Sequence, residues 1–241
     1  MAKLSLIVLD TETTTVGIEG DVIEASFFRL RDNKQKTWYL KAVHEDKISP
    51  EALEVNGHKL EDITWKTEEG RQKYRLPEEV VPEIENWLYE DGCAKLDRIM
   101  VGHNINFDYL QLEELWRRHE ALETFPFSFN KIDTQMMCVF LDWLRGVSPR
   151  RFNLGAVVKR LGLEKRKAHK AENDVLMTVQ LLKYLEGALG PLVSKSGIPI
   201  LGEGEAVEEE EELPSVSEEE AEQEHEIRDQ ADCEQEEDDE L

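Results

Sequence analysis

The distribution of charge along this chain decides how much of it can form a hydrophobic core. The 241 residues carry a formal net charge of −24, and 202–241 hold 21 Asp and Glu against one Arg, a net charge of −20. The remaining 32 acidic and 28 basic residues leave 1–201 nearly neutral, at −4. A segment this acidic and this poor in large apolar residues buries too little surface to offset the entropy of ordering. We therefore expect a globular domain over 1–190, then a glycine- and proline-rich linker and a disordered acidic tail over 191–241.

Cysteine usage and the N-terminal sequence exclude several classes of protein. The three cysteines, Cys93, Cys138 and Cys233, follow no CxxC spacing, which argues against a structural zinc site and a disulfide framework. The apolar run near the N-terminus is only six residues long, too short for a signal peptide, and no later stretch could span a membrane. The sequence predicts an intracellular, cytoplasmic protein with no membrane contact.

Apolar periodicity divides the predicted domain into short strands and amphipathic helices. Strands are predicted at Leu4–Leu9, Val22–Leu30, Thr37–Leu40 and Arg98–Gly102. Helices are predicted from Ser49-Pro50 to Gly57 and at Glu78–Glu90, Phe107–His119, Asp133–Leu144, Asn153–Leu161 and Ala171–Leu185. Three strands followed by helices with at least one more strand among them are typical of an α/β domain, with a mixed β-sheet flanked by helices.

Two carboxylates, Asp10 and Glu12, follow directly after the apolar run Leu4–Leu9. On an extended chain, residues i and i+2 point to the same face and lie roughly 6–7 Å apart. The two carboxylates repel each other there, and a divalent cation would remove that repulsion. An Asp-x-Glu pair on its own fits a solvated turn better than a metal site, so its meaning depends on the rest of the chain.

Two further segments place a carboxylate near the start of a predicted helix. Asp108 falls in the first turn of the helix that follows the strand ending at Gly102, and the carboxyl ends of strands are where α/β sites form. His169 precedes the last predicted helix, and Asp174 lies about one turn inside it. Each residue also has an ordinary explanation: Asp108 suits the positive end of a helix dipole, Asp174 an exposed helix face, and His169 a loop.

In this order and at these separations, the three segments resemble the motifs of the DEDDh exonuclease family, whose members include the proofreading subunit of bacterial DNA polymerase III. The matching motifs are Asp10-Thr11-Glu12-Thr13, His103-Asn104-x-x-Phe107-Asp108 and His169-x-Ala171-x-x-Asp174. The similarity extends from about Leu4 to about Gly187 and implies a ribonuclease H-like fold. One departure is Thr15-Val16-Gly17, where the family has a glycine sooner, so the loop beside the scissile nucleotide is expected to differ.

The resemblance implies that four carboxylates hold two Mg²⁺ or Mn²⁺ ions, which prefer such hard oxygen ligands. Asp10, Glu12 and Asp174 are expected to bind the ion that carries the attacking water. Asp10, with Asp108 linked through water, is expected to bind the ion near the leaving group. His169 is the expected general base, because an imidazole with a pKa near 6.5 can accept a proton at neutral pH. The other motif residues are expected to bind substrate: Thr11, Thr13, His103, Asn104 and Phe107.

A basic segment precedes and includes the third motif. Residues 145–170 hold nine Lys and Arg against a single acid, Glu164. Nucleic acid is a polyanion that a site of four carboxylates would otherwise repel, so this bias favours contacts with the substrate backbone. Lys165, Arg166 and Lys170 are the expected substrate-binding residues here, and a solvated helix face is the ordinary alternative.

The predicted function is metal-dependent 3′–5′ exonuclease activity that releases nucleoside 5′-monophosphates, with single-stranded DNA 3′ ends as the expected substrate in proofreading, repair or end-trimming. An RNA-trimming exonuclease or oligoribonuclease stays open, because discrimination depends on contacts around the 2′-hydroxyl. A structure-specific endonuclease, or a non-catalytic binding module acting through the acidic tail, is a more distant alternative. No polymerase domain is recognisable in these residues, so proofreading would require a polymerase in trans.

Overall fold

The computed structural model describes residues 4–166 and 169–196, so 197–241 of the predicted linker and tail lie outside the described residues. The strands are β1 (Ser5–Thr13), β2 (Val22–Arg29), β3 (Lys34–Tyr39), β4 (Arg98–Gly102) and β5 (Lys131–Asp133). The helices are α1 (Pro50–Asn56), α2 (Leu60–Ile63), α3 (Glu68–Lys73), α4 (Pro77–Tyr89), α5 (Ile105–Arg118), α6 (Thr134–Leu144), α7 (Leu154–Arg160) and α8 (Ala171–Ser196).

The strands form one mixed sheet in the order β3-β2-β1-β4-β5. β1 and β2 are antiparallel, as are β2 and β3, whereas β1 pairs with β4 and β4 with β5 in parallel. The mixed sheet flanked by helices that the sequence predicts is therefore confirmed. β1 lies at the centre, and the carboxyl ends of β1 and β4 meet at the same edge of the sheet.

Both faces of the sheet are covered, which explains why β1 is almost continuously apolar. Ile7 and Leu9 belong to the larger core cluster, which includes Ile84 of α4 and Leu112 of α5. Val8 points to the other face and joins a cluster with residues of α8. Since α5 follows β4 and α8 packs against β1 and β2, the first turns of both helices are anchored close to the carboxyl end of β1.

The predicted ends of α1 are confirmed by its capping geometry. The Ser49 hydroxyl accepts a hydrogen bond from the Ala52 backbone N–H at 3.2 Å, and Pro50 occupies the first turn. Gly57 ends the helix at φ 72°, a left-handed conformation that glycine adopts without strain.

Three elements differ in length from their predictions because of contacts with other parts of the chain. β3 begins at Lys34, three residues before its predicted start, because Lys34 pairs with Arg29 of β2. β1 continues to Thr13, since its last residues pair with β2. α8 continues past Gly187 and Gly190 to Ser196, and so enters the linker that the sequence predicts from residue 191. Ala188 and Leu189 pack against the apolar cluster that α6, α7 and α8 share, and this packing outweighs the low helix propensity of glycine. The boundary between domain and tail stays a prediction.

Short elements without a strong apolar period, namely α2, α3 and β5, escape prediction from the sequence. Among residues 4–166 and 169–196, no helix combines the length and the apolar character that a membrane span requires. The intracellular location stays a prediction.

Candidate active site

Asp10 and Glu12 lie within β1, on the face of the strand that alternates with the buried residues Leu9, Thr11 and Thr13. Both carboxylates are partly buried. Because β1 extends to Thr13, the pair is held by a paired strand and does not belong to a turn. A register shift between Glu12 and Thr13 ends this regular pairing.

Asp174 completes a group of three carboxylates. It lies in the first turn of α8, and one oxygen each of Asp10, Glu12 and Asp174 lies within 4.8 Å of the other two. The Oδ2 atom of Asp174 accepts a hydrogen bond from the His169 backbone N–H at 3.1 Å. Its Oδ1 atom is buried and has no hydrogen-bond partner among the described residues. A buried carboxylate oxygen without a donor is what a cation site would leave behind.

Asp108, in the first turn of α5, is buried beside this group. Its Oδ1 atom accepts two hydrogen bonds from Thr11, one from the backbone N–H and one from the hydroxyl, each 2.8 Å long. Thr11 therefore sets the orientation of the fourth carboxylate, which lies outside the group formed by Asp10, Glu12 and Asp174. The predicted role of Asp108 as a metal ligand through water stays a prediction.

Burial is the first cause that raises the pKa values of all four carboxyl groups, and nearby carboxylates raise them further. The pKa of Asp10 lies well above its ordinary value, first because of burial and then because of the charges around it, Asp108 foremost. Burial and the charge of Asp174 raise the pKa of Glu12 to about 8. Burial raises the pKa of Asp108 to about 7, against the hydrogen bonds from Thr11, and that of Asp174 to about 6. Bringing these groups together is unfavourable without a cation, so the residues fit a divalent metal.

His169 is exposed and adopts a left-handed backbone conformation, with φ 60°. Its backbone N–H is tied to Asp174, so the histidine is anchored one turn from the carboxylate group. Lys167 and Ala168, immediately before it, lie outside the described residues. An exposed imidazole beside a cluster of carboxylates is suited to accept a proton from water.

Several predicted substrate-binding residues form the walls of a cleft or support it. Thr11, Thr13 and Phe107 line a cleft of about 390 Å³ that also includes Glu12 and part of α1. The Thr13 hydroxyl donates a hydrogen bond to the Thr15 carbonyl at 2.6 Å, and the Thr11 hydroxyl is committed to Asp108. Both hydroxyls are thus engaged within the protein, so the two threonines contribute to the shape of the cleft.

His103 supports the loop that joins β4 to α5. Its Nδ1 atom lies 3.1 Å from the Thr134 hydroxyl, and its Nε2 atom lies 2.6 Å from the Phe152 carbonyl. Burial lowers the pKa of His103. Asn104 is exposed at φ 67°, and its backbone N–H donates to Asp133 at 3.1 Å. Of these two side chains, only that of Asn104 lies open to a substrate.

The predicted basic residues differ in their surroundings. Lys170 is partly buried, and its charge lowers the pKa of Glu12, so it acts on the carboxylate group. Lys165 is exposed. Arg166 forms an ion pair with Glu164 at 3.3 Å, which reduces the charge that it offers to a polyanion.

Glu24 of β2 is a fifth carboxylate at the site, which sequence reasoning missed. It is fully buried and lies opposite Glu12 in the strand register. Its Oε2 atom lies 2.9 Å from Nε2 of His58, whose Nδ1 atom lies 2.6 Å from the Tyr74 hydroxyl. Its Oε1 atom has no partner among the described residues, and its charge raises the pKa values of neighbouring carboxyl groups, including Glu12. The one signal in the sequence is an acid inside the apolar run of β2.

Known proteins share both the sequence pattern and the fold. A family model for exonucleases, RNase_T, matches residues 7–182. DNA polymerase III PolC-type of Thermotoga maritima is 29% identical over 207 residues, which is 85% of this chain and 13% of that protein. The corresponding protein of Thermotoga petrophila is 29% identical over 202 residues, 83% of this chain and 13% of that protein. The chain therefore spans only about an eighth of the length of these relatives.

Solved structures of nucleases share the fold at low sequence identity. Escherichia coli Exonuclease I, in complex with a dT13 oligonucleotide, aligns with a TM-score of 0.62 and 17% identity over 80% of this chain and 43% of its own. Cell-death related nuclease 4 aligns with a TM-score of 0.59 and 15% identity over 77% of this chain and 64% of its own. These alignments confirm the ribonuclease H-like fold. The family model matches residues 7–182, which include most of the domain and the strand and helices that bear the carboxylates. The chain therefore belongs to the RNase_T exonuclease family and is a nuclease.

Proposed function

We propose that this nuclease is a metal-dependent 3′–5′ exonuclease that removes nucleoside 5′-monophosphates from the 3′ ends of single-stranded DNA. The observation that carries the proposal is the convergence of Asp10, Glu12 and Asp174, with oxygens within 4.8 Å of one another and one buried oxygen of Asp174 left without a donor among the described residues. Family membership supports the reaction class, and this geometry supports a metal site at these carboxylates.

The residues divide the work of hydrolysis among them. Asp10, Glu12, Asp174 and Asp108 would hold two Mg²⁺ or Mn²⁺ ions, which when bound stabilise the negative charge that develops on the scissile phosphate. His169 accepts the proton of the attacking water, and its exposed position lets it pass that proton to solvent. Thr11 keeps Asp108 oriented throughout.

The substrate is held on two sides. The cleft lined by Thr13, Phe107 and part of α1 receives the terminal nucleoside, with the Phe107 ring offering an apolar surface to the base. Lys165, Arg166 and Lys170 approach the phosphates and offset the charge of the carboxylates. A polymerase on another chain is the proposed partner, by analogy with the PolC-type relatives, in which the matching region is one part of a polymerase.

RNA is the second candidate substrate. A 3′-exonuclease described as recognising the 3′ end of a histone mRNA stem-loop shares the fold, with a TM-score of 0.56 and 11% identity over 77% of this chain and 64% of its own. The same reaction chemistry serves both polymers, so the choice depends on contacts with the 2′-hydroxyl.

End-labelled oligonucleotides test the proposal directly. The full chain is incubated with single- and double-stranded DNA and RNA in Mg²⁺ or EDTA, and the products are separated on a gel. We expect 5′-labelled single-stranded DNA to shorten one nucleotide at a time, 3′-labelled DNA to release a labelled mononucleotide at once, and EDTA to stop both. Cleavage of a circular single strand would contradict the proposal and favour the endonuclease alternative, and faster trimming of RNA would favour the second candidate.

A further inference from the structure

One face of α6 exposes a row of large apolar side chains that the described residues leave uncovered. Its members recur at helical spacing and are here called the α6 stripe: Met136, Val139, Phe140, Trp143 and Leu144. Trp143 is 71% exposed and Phe140 is 53% exposed. The opposite face of the helix is in the core through Cys138 and Leu141. An exposed apolar row of this kind marks a binding surface more often than a chance arrangement.

Within the stripe, the rings of Phe140 and Trp143 stack on each other. Their centroids are 5.9 Å apart and their planes are inclined by 26°. Both side chains are also more than half exposed, so part of their π surface is accessible from outside. Nucleobases stack on such surfaces irrespective of sequence.

A basic cleft lies beside the stripe. Arg151, Lys159, Arg160 and Lys165 line a cleft of about 610 Å³, together with small and polar residues, and no acid is among its described lining residues. Arg160 is occupied internally, since its Nη2 atom donates to Asp142 at 2.5 Å and its Nη1 atom donates to the Arg151 carbonyl at 3.4 Å. The other three cations are available to an anion.

The ion pair between Arg160 and Asp142 joins the two surfaces. Asp142 belongs to α6 and directly precedes Trp143, so the cleft adjoins the side of the helix next to the one that carries the aromatic pair. The pair also neutralises the one acid of α6, which leaves the stripe and the cleft apolar or positive. This charge suits a polyanion and opposes a second basic surface of the same kind.

Hydrogen bonds connect the edge of the cleft with the loop that leads to the candidate active site. The Phe152 carbonyl, next to Arg151, lies 2.6 Å from Nε2 of His103 and accepts a hydrogen bond from the Gln135 side chain at 3.3 Å. His103 belongs to the loop that leads into α5 and Asp108. A strand whose 3′ end lies at the carboxylates can therefore run over this loop into the cleft.

We propose that the α6 stripe and the basic cleft together form a binding site for single-stranded nucleic acid upstream of the 3′ end. Bases stack on Phe140 and Trp143, while phosphates contact Arg151, Lys159 and Lys165. The position of the 3′ end in this arrangement rests on the proposed function, but binding to the surface does not. A protein partner is the competing occupant, and an apolar stripe alone would suit it. The basic cleft beside the stripe favours the polyanion.

Binding without hydrolysis tests this site. Fluorescein-labelled dT20 and dT4 are titrated with the full chain in EDTA, and fluorescence anisotropy is measured for the wild type, Trp143→Ala and Phe140→Ala. We expect dT20 to bind Trp143→Ala about 5- to 100-fold more weakly than wild type, from the contribution of base stacking. The loss should be confined to the longer oligonucleotide. The tryptophan fluorescence of the wild type should be quenched by dT20, and the Trp143→Ala variant should lack that quenching component.

Phe129→Ala is the matched control. Phe129 is a 73% exposed aromatic residue just before β5, at the end of the sheet away from the carboxylates, so its removal should leave the affinity for dT20 unchanged. The double variant Arg151→Glu with Lys159→Glu tests the basic cleft. It should bind dT20 more weakly, and its affinity should depend less steeply on salt concentration.

Two results would overturn the proposal. One is equal affinity of the wild type and Trp143→Ala for dT20. The other is a wild-type oligomer, seen by light scattering, that Trp143→Ala dissociates without any change in dT20 affinity, since the face would then be an interface between copies. Because the titration is done in EDTA, failure of the chain to hydrolyse any 3′ end would refute the proposed function and leave this test intact.

Discussion

Buried charges are paired at one end of β1 and β4, whereas like charges are brought together at the other end. At the end where both strands begin, Ser5 pairs with Arg98 in the sheet register, and the fully buried Arg98 is bound to a buried Asp91 with Nη2 and Oδ1 2.6 Å apart. Ser5 and the backbone carbonyls of Pro126 and Cys93 complete the hydrogen bonds. At the other end, called the acidic end below, the carboxylates of Asp10, Glu12 and Asp174 lie together. None of these three forms an ion pair with a Lys or Arg among the described residues.

The pKa values of the carboxyl groups at the two ends are shifted in opposite directions. Burial acts to raise the pKa of Asp91, but hydrogen bonds from Arg98 and others outweigh it and hold that pKa below its ordinary value. The same burial at the other end is reinforced by repulsion, and the pKa of Glu12 rises to about 8. One end is arranged for stability, while the other brings like charges together at a cost in stability, as the proposed metal site requires.

The largest effect is expected from removing a carboxylate of the acidic end. Asp10→Asn and Asp174→Asn should each abolish hydrolysis of labelled single-stranded DNA, because the metal loses an anionic ligand. In EDTA the same variants should melt at a higher temperature than the wild type, since a repulsive charge is gone. Thermal melts alongside turnover measure both effects. A variant that is inactive and also less stable in EDTA would contradict the claim that repulsion among these carboxylates destabilises the metal-free protein.

The next effect concerns the proton acceptor at the acidic end. His169→Ala should slow single-turnover hydrolysis by roughly 10²–10⁴-fold, because a general base contributes about that much. Metal binding, measured by isothermal titration with Mn²⁺, should be retained, since the side chain is exposed and its backbone N–H makes the hydrogen bond to Asp174. Loss of Mn²⁺ binding would instead make His169 a ligand.

Breaking the ion pair at the opposite end should damage the fold. Arg98→Met leaves Asp91 buried without its partner and should lower the free energy of unfolding by about 3–5 kcal/mol, measured by urea denaturation. Arg117→Met is the matched control, because Arg117 is largely exposed in its ion pair with Glu114 and should cost no more than about 1 kcal/mol. Equal losses in the two variants would show that the buried Arg98 pair contributes no more to the free energy of unfolding than the exposed Arg117 pair.

Stability in EDTA should depend on pH in the direction set by the raised carboxyl pKa values. The ordinary values are 3.8 for Asp and 4.5 for Glu, and the folded values are about 6 for Asp174, 7 for Asp108 and 8 for Glu12. The folded state therefore binds more protons, so this contribution to stability is fully present below the ordinary values of 3.8 and 4.5 and is lost as pH rises through about 6 to 8.

Urea denaturation in EDTA at about pH 5, 6.5 and 8 measures this loss. Glu24→Gln should flatten the dependence, because the charge of Glu24 contributes to the raised pKa of Glu12. Mg²⁺ should stabilise the protein more at the highest of these pH values than at the lowest, because the carboxylates are then ionised. If stability in EDTA rises between pH 6.5 and pH 8, the predicted effect of the raised carboxyl pKa values is wrong.

The smallest effect is expected at the rim of the acidic end. Lys165→Glu with Arg166→Glu should raise KM for single-stranded DNA and make the logarithm of affinity less steep against the logarithm of salt concentration, by roughly 0.7 for each phosphate that the protein no longer neutralises. The single-turnover rate at saturating substrate should change little, since these residues bind phosphates away from the scissile bond. An unchanged salt slope would remove both residues from the binding site.

Local signals in the sequence were enough for the elements whose ends depend on nearby residues. β4 begins and ends as predicted, and α1 is bounded by Ser49 and Gly57, because capping and glycine conformation involve residues only a few positions apart. Asp10 and Glu12 share a face because of the period of an extended chain, which is also local. The resemblance of the motifs to a known family then connected these residues with the distant carboxylates of the second and third motifs.

Which charges lie together, and which of them are paired, depends on long-range packing. Glu24 is an acid in an apolar strand by sequence, and the β1–β2 register places it opposite Glu12. The orientation of Asp108 by Thr11 and the extension of α8 through its contacts with α6 and α7 likewise come from long-range packing. The physical reason is that hydrogen-bond satisfaction and burial depend on neighbours in space, whereas propensity and period depend on neighbours along the chain.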